Sequence, residues 1–470
     1  MKKKLLPLAK RFTTNIQQHT VIRSCLCSSI LLLSICVFAQ NNTSQSESEQ
    51  LKYQRSSLTM ILLQGTSLIE DKSQLGNEDI QIDNSPEAIR KLWNEYPFPE
   101  LYDKHDIANG NINVVSNLSA QDIFNARKNK TQLKDAERTL PKIEQELKNK
   151  RIAHQVVKRW FSSLDGQKMW DMNTIQKRGF YNASELEAEI AKQDIRGRAK
   201  LADAGEDLIN NSFVTVTDLV VYANKPIADL YNNLAKSLED QSKELSRKAT
   251  SNAMEQIVNN STALGLITTA SGLRIAAAAI KDGYTVISKT YLFKLKWNEE
   301  IQAEFYSNWG NNAAFEKMDF SLDYIGFQLN ETVVNRGAFN KSVNRNPEVV
   351  IKQSVMRNID EAFAKLQKEN DVFKPSVPVY STSPIVAKIG MKEGLIGGEK
   401  FVVLQKIQDP STGKTSYKKV GNVTVDKSHV WDNRYNAGES LNTTTADNIK
   451  ETYFSGGKNV VPGMLLKQKR

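Results

Sequence analysis

The sequence has 470 residues, with 63 Lys and Arg against 53 Asp and Glu for a net charge of +10, and three cysteines. All three, Cys25, Cys27 and Cys36, lie near the start, so the chain from Gln40 on carries no disulfide framework and no thiolate metal site, even in an oxidising compartment. The length is ample for two or three domains with real cores, and with six of the basic residues in positions 1–39 the remainder holds 57 basic against 53 acidic residues, or +4.

Residues 1–39 contain those six Lys and Arg and no acid, then the apolar run Ile30 to Phe38, then Val37-Phe38-Ala39 ahead of Gln40. A basic stretch, an apolar stretch and a small residue at the junction make a secretory signal peptide, and the expected location is the periplasm or the outer membrane of the cell envelope. Two alternatives stand beside it. A retained anchor would need roughly 20 apolar residues, more than this run offers; a lipoprotein would use Leu33-Ser34-Ile35-Cys36, where Ile35 occupies a place normally held by a small residue. Residues 40–57 are Ser, Gln, Asn and Glu with little to bury, and read as a disordered tether.

An α+β domain is expected over 58–372. Leu58 to Leu63 is fully apolar and reads as a first buried strand. Ser85-Pro86-Glu87 has the chemistry of a helix start, and Ile89, Leu92, Trp93 and Tyr96 follow at helical spacing until Pro97. Ile112 to Val115 reads as a second strand. One long helix is expected from about Leu140 to Leu164, with Ile152, Val156 and Trp160 on its inner face and Lys148, Lys150, Arg151, His154, Lys158 and Arg159 around the rest; these basic residues offer either a face for an anionic partner or an ordinary solvated surface. Ser184 and Glu187 form a capping box for the next helix.

From Gly197 to Tyr222 a helix pattern, Leu201, Gly205, Leu208 and Ile209, runs directly into a strand pattern, Phe213 to Val221, apolar on both faces. Such a strand needs cover above and below and belongs in the middle of the main sheet. A projecting helical hairpin is expected over about 227–281. Its first helix turns polar across Lys236 to Asn252, Asn259-Asn260-Ser261 reads as the turn, and Ala263 to Ile280 returns as an apolar, small-residue segment. That segment is either a membrane-inserting or oligomer-forming helix or a helix buried against its antiparallel partner; Arg274, Thr268, Thr269 and Ser271 interrupt it and favour the buried reading. Ile287, Tyr291, Phe293, Leu295 and Trp297 alternate with Lys294 and Lys296 as a one-sided strand, and Phe320, Leu322 and Tyr324 alternate with acids in an antiparallel neighbour. Val355, Ile359, Phe363 and Leu366 make the last helix of the domain.

Pro375 and Pro378 mark the boundary. Over 379–470 five short strands are expected, Ile385–Ile389, Phe401–Ile407, Tyr417–Val425, His429–Trp431 and Met464–Gln468, closing a small all-β barrel, with Asp432 to Lys450 a mobile insertion. Lys374 to Arg470 holds 15 Lys and Arg against 8 acids, so this end is the basic module. Lys406, Lys414, Lys418, Lys419 and Lys427, with Tyr417 and Trp431, are the candidate binding residues, for an anionic glycan, a lipid surface or an acidic envelope protein; export argues against nucleic acid.

Gly390-Met-Lys-Glu-Gly394-Leu-Ile-Gly397-Gly398-Glu-Lys-Phe401-Val-Val, with Val420-Gly-Asn-Val-Thr-Val and Val461-Pro-Gly-Met-Leu-Leu, resembles the SH3-like barrel at the end of flagellar assembly protein T and related envelope proteins. The leader and the helix-strand unit resemble uncharacterised exported proteins of the Bacteroidetes, and the body is faintly similar to the periplasmic part of the curli secretion lipoprotein. These resemblances imply an envelope assembly or scaffold component and bring no catalytic residue with them.

Catalytic patterns are thin. His105, His154 and His429 lie far apart, with no HExxH pair to build a zinc site. Ser411-Thr412-Gly413-Lys414-Thr415 lacks the leading Gly of a phosphate loop and sits between strands, where a hairpin turn is the simpler reading. Ser411 and Lys414 have the S-x-x-K spacing, which needs a helix that a turn does not supply. Paired acids, Asp319 with Asp323 or Glu299 with Glu300, leave a carboxylate hydrolase of envelope polymer as an alternative, requiring two acids within roughly 10 Å in one pocket. The expectation is therefore a non-enzymatic assembly, scaffold or binding protein without cofactor or metal, with the hydrolase and an oligomeric outer-membrane pore component as alternatives; homo-oligomers would form through the hairpin.

Overall fold

The computed structural model describes residues 56–64, 67–68, 85–107, 112–114, 117–118, 120–129, 135–163, 166, 168–175, 208–247, 253–281, 283–334, 347–408, 415–437 and 450–469. The leader, most of the tether, the capping box at Ser184 and the helix that leads into Leu208 lie outside them. In chain order the elements are β1 (Ser57–Gln64), β2 (Ser67–Leu68), α1 (Pro86–Asn94), β3 (Asp103–Lys104), β4 (Ile112–Asn113), β5 (Asn117–Leu118), α2 (Ala120–Asn129), α3 (Asp135–Asn149), α4 (Ile152–Trp160), β6 (Ser212–Ala223), α5 (Lys225–Arg247) and α6 (Ala253–Ile280). Then come β7 (Tyr284–Leu295), α7 (Glu299–Ser307), α8 (Asn312–Phe315), β8 (Leu322–Val334), α9 (Pro347–Glu369), β9 (Ser376–Pro378), β10 (Ser381–Thr382), β11 (Ile385–Ala387), the short turn η1 (Met391–Glu393), β12 (Lys400–Gln408), β13 (Thr415–Val425), β14 (Thr452–Ser455) and β15 (Leu465–Gln468). The protein is α+β.

The main sheet has the order β3-β1-β6-β7-β8, with β4 also on β1. β1 runs parallel to β6, and β6, β7 and β8 are antiparallel. β6 is central and buried at all its positions. Period-two alternation sends Val214 and Val216 to one face, under Ile143, Leu147, Ile152, Val156 and Trp160 of α3 and α4, and Phe213, Leu219 and Val221 to the other, under Ile89 of α1 and Val355, Ile359 and Phe363 of α9. Two-sided cover is what a strand with apolar residues on both faces requires. α1 starts as its sequence dictates: the Ser85 hydroxyl accepts from Ala88 N at 3.2 Å, with Pro86 in the first turn.

Several expectations need correction. β7 is not one-sided: Val286 and Leu292 are buried beneath α9 while Tyr291 and Phe293 are buried on the opposite face, because helices cover both sides of the sheet here. The long helix over 140–164 is two helices, broken at Arg151, which takes the left-handed φ of 50°. Asn259-Asn260-Ser261 lies inside α6, so the hairpin turns before Ala253. His429–Trp431 is not a strand, since only an isolated bridge joins Trp431 to Gly390, and β9, β10 and β14 were not foreseen.

On the inner face between Val216 and Val220, Asp218 and Lys289 stand directly opposite each other on β6 and β7. Their charged atoms are 2.6 Å apart and both side chains are out of water. The C-terminal sheet is antiparallel, in the order β10-β11-β14-β13-β12-β15-β9. Its two edge strands are joined in the chain by only Val379 and Tyr380, so the sheet curls back on itself around Phe401, Val403, Val423 and Phe454.

From Arg55 on, the body and this curled sheet pack as one compact unit. Leu101 packs against the cores of both. At the seam the Tyr96 hydroxyl donates to Asp360 at 2.7 Å, Lys392 Nζ lies 3.6 Å from the same carboxylate, and Glu393 accepts from Gly390 N and Asn433 at 2.8 Å each. Burial raises the Asp360 carboxyl above its usual range, with Lys392 opposing, and burial likewise raises Glu393 against the bonds from Asn433 and Gly390. The insertion expected to be mobile begins docked: Arg357 on α9 donates to the carbonyls of Tyr435 and Asn436 at 3.2 and 3.3 Å, and 438–449 lie outside the described residues.

Candidate functional site

The hairpin of α5 and α6 is held at its root by the ends of two central strands. Ala223 and Tyr284 are the last register pair of β6 and β7, and Asn224 N donates to Gly283 O at 2.9 Å. Arg127 of α2 ties the base down through an ion pair with Glu331 and a bond to the Thr285 hydroxyl. Ile227 of α5 is buried there with Ile123, Val220, Tyr222 and Ile287.

Above the root the two helices meet along a seam of small residues. Ala228, Ala235 and Ser242 on α5 and Ala263, Ala270 and Ala277 on α6, each set spaced by seven, are the buried positions. A seven-residue interval keeps a stripe on one side of a helix, and methyl-sized side chains there let the backbones approach closely. Ser242 Oγ donates across the seam to Ala263 O at 3.0 Å. Arg274 forks onto Glu239 with bonds of 2.8 and 2.9 Å, the bidentate geometry of a strong charge-assisted pair.

The rest of α6 faces outward. Leu266, Leu273 and Ile280 flank the seam half-buried, and every residue from Val258 to Ala279 at the other five heptad positions is exposed. Leu264 is 66% and Ile275 72% exposed. Val258–Ile280 is 23 residues long and contains an 18-residue window of mean hydropathy 1.6, by length and composition enough to cross a membrane. The expectation of a helix buried against its partner therefore holds only along the alanine seam. The hydroxyls that interrupted the apolar run do not ask for water: Thr262, Thr268, Thr269 and Ser271 donate to the carbonyls of Val258, Leu264, Gly265 and Ile267 at 2.8–3.0 Å. α5 is the opposite in character, with Lys236, Asp240, Lys243, Glu244 and Arg247 exposed.

The residues expected to bind in the C-terminal sheet are distributed. Lys406 and Tyr417 are directly paired across β12 and β13, and Lys419, opposite Leu404, shares their face; Lys418, opposite Gln405, points to the other. Among the described residues, 405–408 and 415–418 pair only with each other, since the pairing of β12 with β15 ends at Leu404 and that of β13 with β14 begins at Thr424, so they form a projecting ribbon. Lys414 lies outside the described residues. Lys427 follows the far end of β13, packed against Gly397, whose φ of 103° and closeness to Lys427 leave no room for a side chain. Trp431, whose N–H donates to Thr452 at 3.0 Å, is at that end too. Val425 lies eight residue steps along β13 from Tyr417, about 26 Å, so Lys427 and Trp431 do not join the ribbon.

A cleft of about 230 Å³ lies between α3, α4, β7 and the start of β8, lined among others by Glu144, Lys148, Arg151, His154, Asp319 and Phe320. His154 is buried with Nε2 3.1 Å from Phe315 O, and burial lowers its pKa below the usual imidazole range. Arg151, though exposed, is paired with Glu316 at 2.6 Å. Of the acid pairs the sequence offered, Asp319 alone reaches this cleft, where Glu144 is the second acid. Among the described residues no three His, Cys, Asp or Glu are grouped to hold a metal ion. Sequence reasoning missed the seam: the alanine intervals are legible, but only the pairing of α5 with α6 gives them meaning. No family model and no curated protein matches the chain.

Proposed function

We propose that this is an exported, non-enzymatic component of the cell envelope that binds or assembles through its helical hairpin, with the basic ribbon of the C-terminal sheet as a second contact for an anionic glycan, lipid surface or acidic protein. The observation that carries the reading is α6: an apolar helix held on a rigid root and left exposed around most of its circumference. Contiguous exposed apolar surface of this kind marks an interaction site. Fractionation of cells expressing the full chain should place it with the envelope, and recovery as a soluble cytoplasmic protein would end the proposal.

The cleft keeps a second reading alive, a hydrolase of envelope polymer using Glu144 and Asp319. Turnover of envelope polysaccharide lost in both Glu144→Gln and Asp319→Asn would establish it; no turnover by the unaltered protein removes it.

A further inference from the structure

Resting on that reading, we infer that the occupant of the α6 face is lipid hydrocarbon, and that the hairpin crosses a bilayer as a unit, with α6 against lipid and α5 toward water. A single protein partner covers one stripe of a helix, about 100° wide. Here five of seven heptad positions are bare along the whole of Val258–Ile280, and a medium that surrounds the helix fits that pattern better than a second chain does.

The polar atoms agree. Hydrocarbon offers no hydrogen bonds, so groups exposed to it must be satisfied internally. Within Ala263–Ile280 the hydroxyls of Thr268, Thr269 and Ser271 already are, each on the carbonyl four residues back, as is Thr262 just ahead of them, while Asn259, Asn260 and Ser261 fall at the end of the span, where headgroups and water would meet them. The one charge in the span, Arg274, is neutralised by Glu239 across the seam. At a rise of about 1.5 Å per residue the 18-residue apolar stretch Ala263–Ile280 is about 27 Å long, close to a hydrocarbon core of about 30 Å, with Asn259, Asn260 and Ser261 falling beyond it.

Connectivity fixes the role of α5. Both ends of the hairpin return to the same root, so α6 cannot cross alone; α5, also 23 residues long, must cross with it. Its exposed Lys236, Asp240, Lys243, Glu244 and Arg247 exclude contact with lipid, and must line a water-filled path. One hairpin does not enclose such a path. Several copies of the chain, each with α6 outside and α5 inside, do.

The chain from Gln40 retains the whole compact unit and has no cysteine, so single cysteines can report on its environment. Leu264→Cys and Ile275→Cys on α6, and Lys236→Cys and Lys243→Cys on α5, would each carry an environment-sensitive nitrobenzoxadiazole label. With phosphatidylcholine–phosphatidylglycerol vesicles, the α6 labels should brighten at least three-fold and be quenched by doxyl lipids, the α5 labels should stay open to iodide, and an entrapped dye should be released. Leu264→Asn with Ile275→Asn, both surface positions, should cut release at least ten-fold. Brightening of the α6 labels without vesicles, growing with protein concentration, would assign the face to a second copy and overturn lipid contact. Shallow quenching at all four positions without dye release would overturn crossing, and no response to vesicles would overturn both. Envelope fractionation tests the broader proposal independently.

Discussion

Replacing Lys289 by Met tests whether the middle of the sheet is as dry as the geometry says. Its ammonium lies 2.6 Å from Asp218, with both side chains fully buried between the apolar residues of β6 and β7. Removing the cation alone leaves a buried carboxylate without its counter-ion, which costs about 3–5 kcal/mol. An unfolding entropy of about 2.1 cal/mol/K per residue over the unit from Arg55 to Arg470 gives about 0.9 kcal/mol/K, so the thermal midpoint should fall by about 3–6 °C. Removing both charges, Lys289→Met with Asp218→Leu, leaves no ion to strand, and its midpoint should recover to near that of the unaltered protein or above. Differential scanning calorimetry at neutral pH reads both. A single variant with an unchanged midpoint, or a double variant no better than the single, would show that water reaches the pair and would refute the reasoning.

The seam between body and C-terminal sheet should respond to pH in two limbs. Asp360 and Glu393 have raised folded pKa values, so the native state holds protons that the unfolded chain releases; their contribution falls as pH rises from the ordinary carboxylate range through the folded values. Acidification from neutrality should therefore raise the midpoint until Glu316 and Asp432, held low by Arg151 and Arg434, begin to take up protons and it falls again. Asp360→Asn with Glu393→Gln should abolish the first limb, and an unchanged slope would contradict this. On the ribbon, Lys406→Glu with Lys419→Glu should weaken binding to anionic vesicles by about ten-fold or more, at about 1 kcal/mol per basic residue near the surface. Lys418→Glu, on the opposite face, should weaken it less; equal effects in a sedimentation assay would show that the two faces do not differ.

What the sequence disclosed follows from how local its signals are. The centrality of β6 was legible because a strand apolar on both faces has few places to sit, and the start of α1 because Ser85 and Pro86 act within one turn. The pairing of β7 with β8 was legible from alternation, but not the second buried face of β7, since Lys294 and Lys296 at its end mark that face as polar while Val286 and Leu292 on the same face are covered by α9. The break at Arg151 has no signature, being a non-glycine residue in a left-handed conformation. Asn259 and Asn260 misplaced the hairpin turn because asparagine favours turns only when no longer apolar pattern runs through it. Lys406 and Lys419 on one face and Lys418 on the other is a matter of register, which a bulge between Val403 and Leu404 shifts.

The account turns on the hairpin, rather than the basic end of the chain, as the principal means of attachment. Its most direct test is partition of the chain from Gln40 onto native envelope vesicles, comparing the unaltered protein with Leu264→Asn/Ile275→Asn and with Lys406→Glu/Lys419→Glu. The account predicts that the α6 variant stays in solution while the ribbon variant remains largely bound. Loss of binding in the ribbon variant alone, with the α6 variant bound as before, would contradict it.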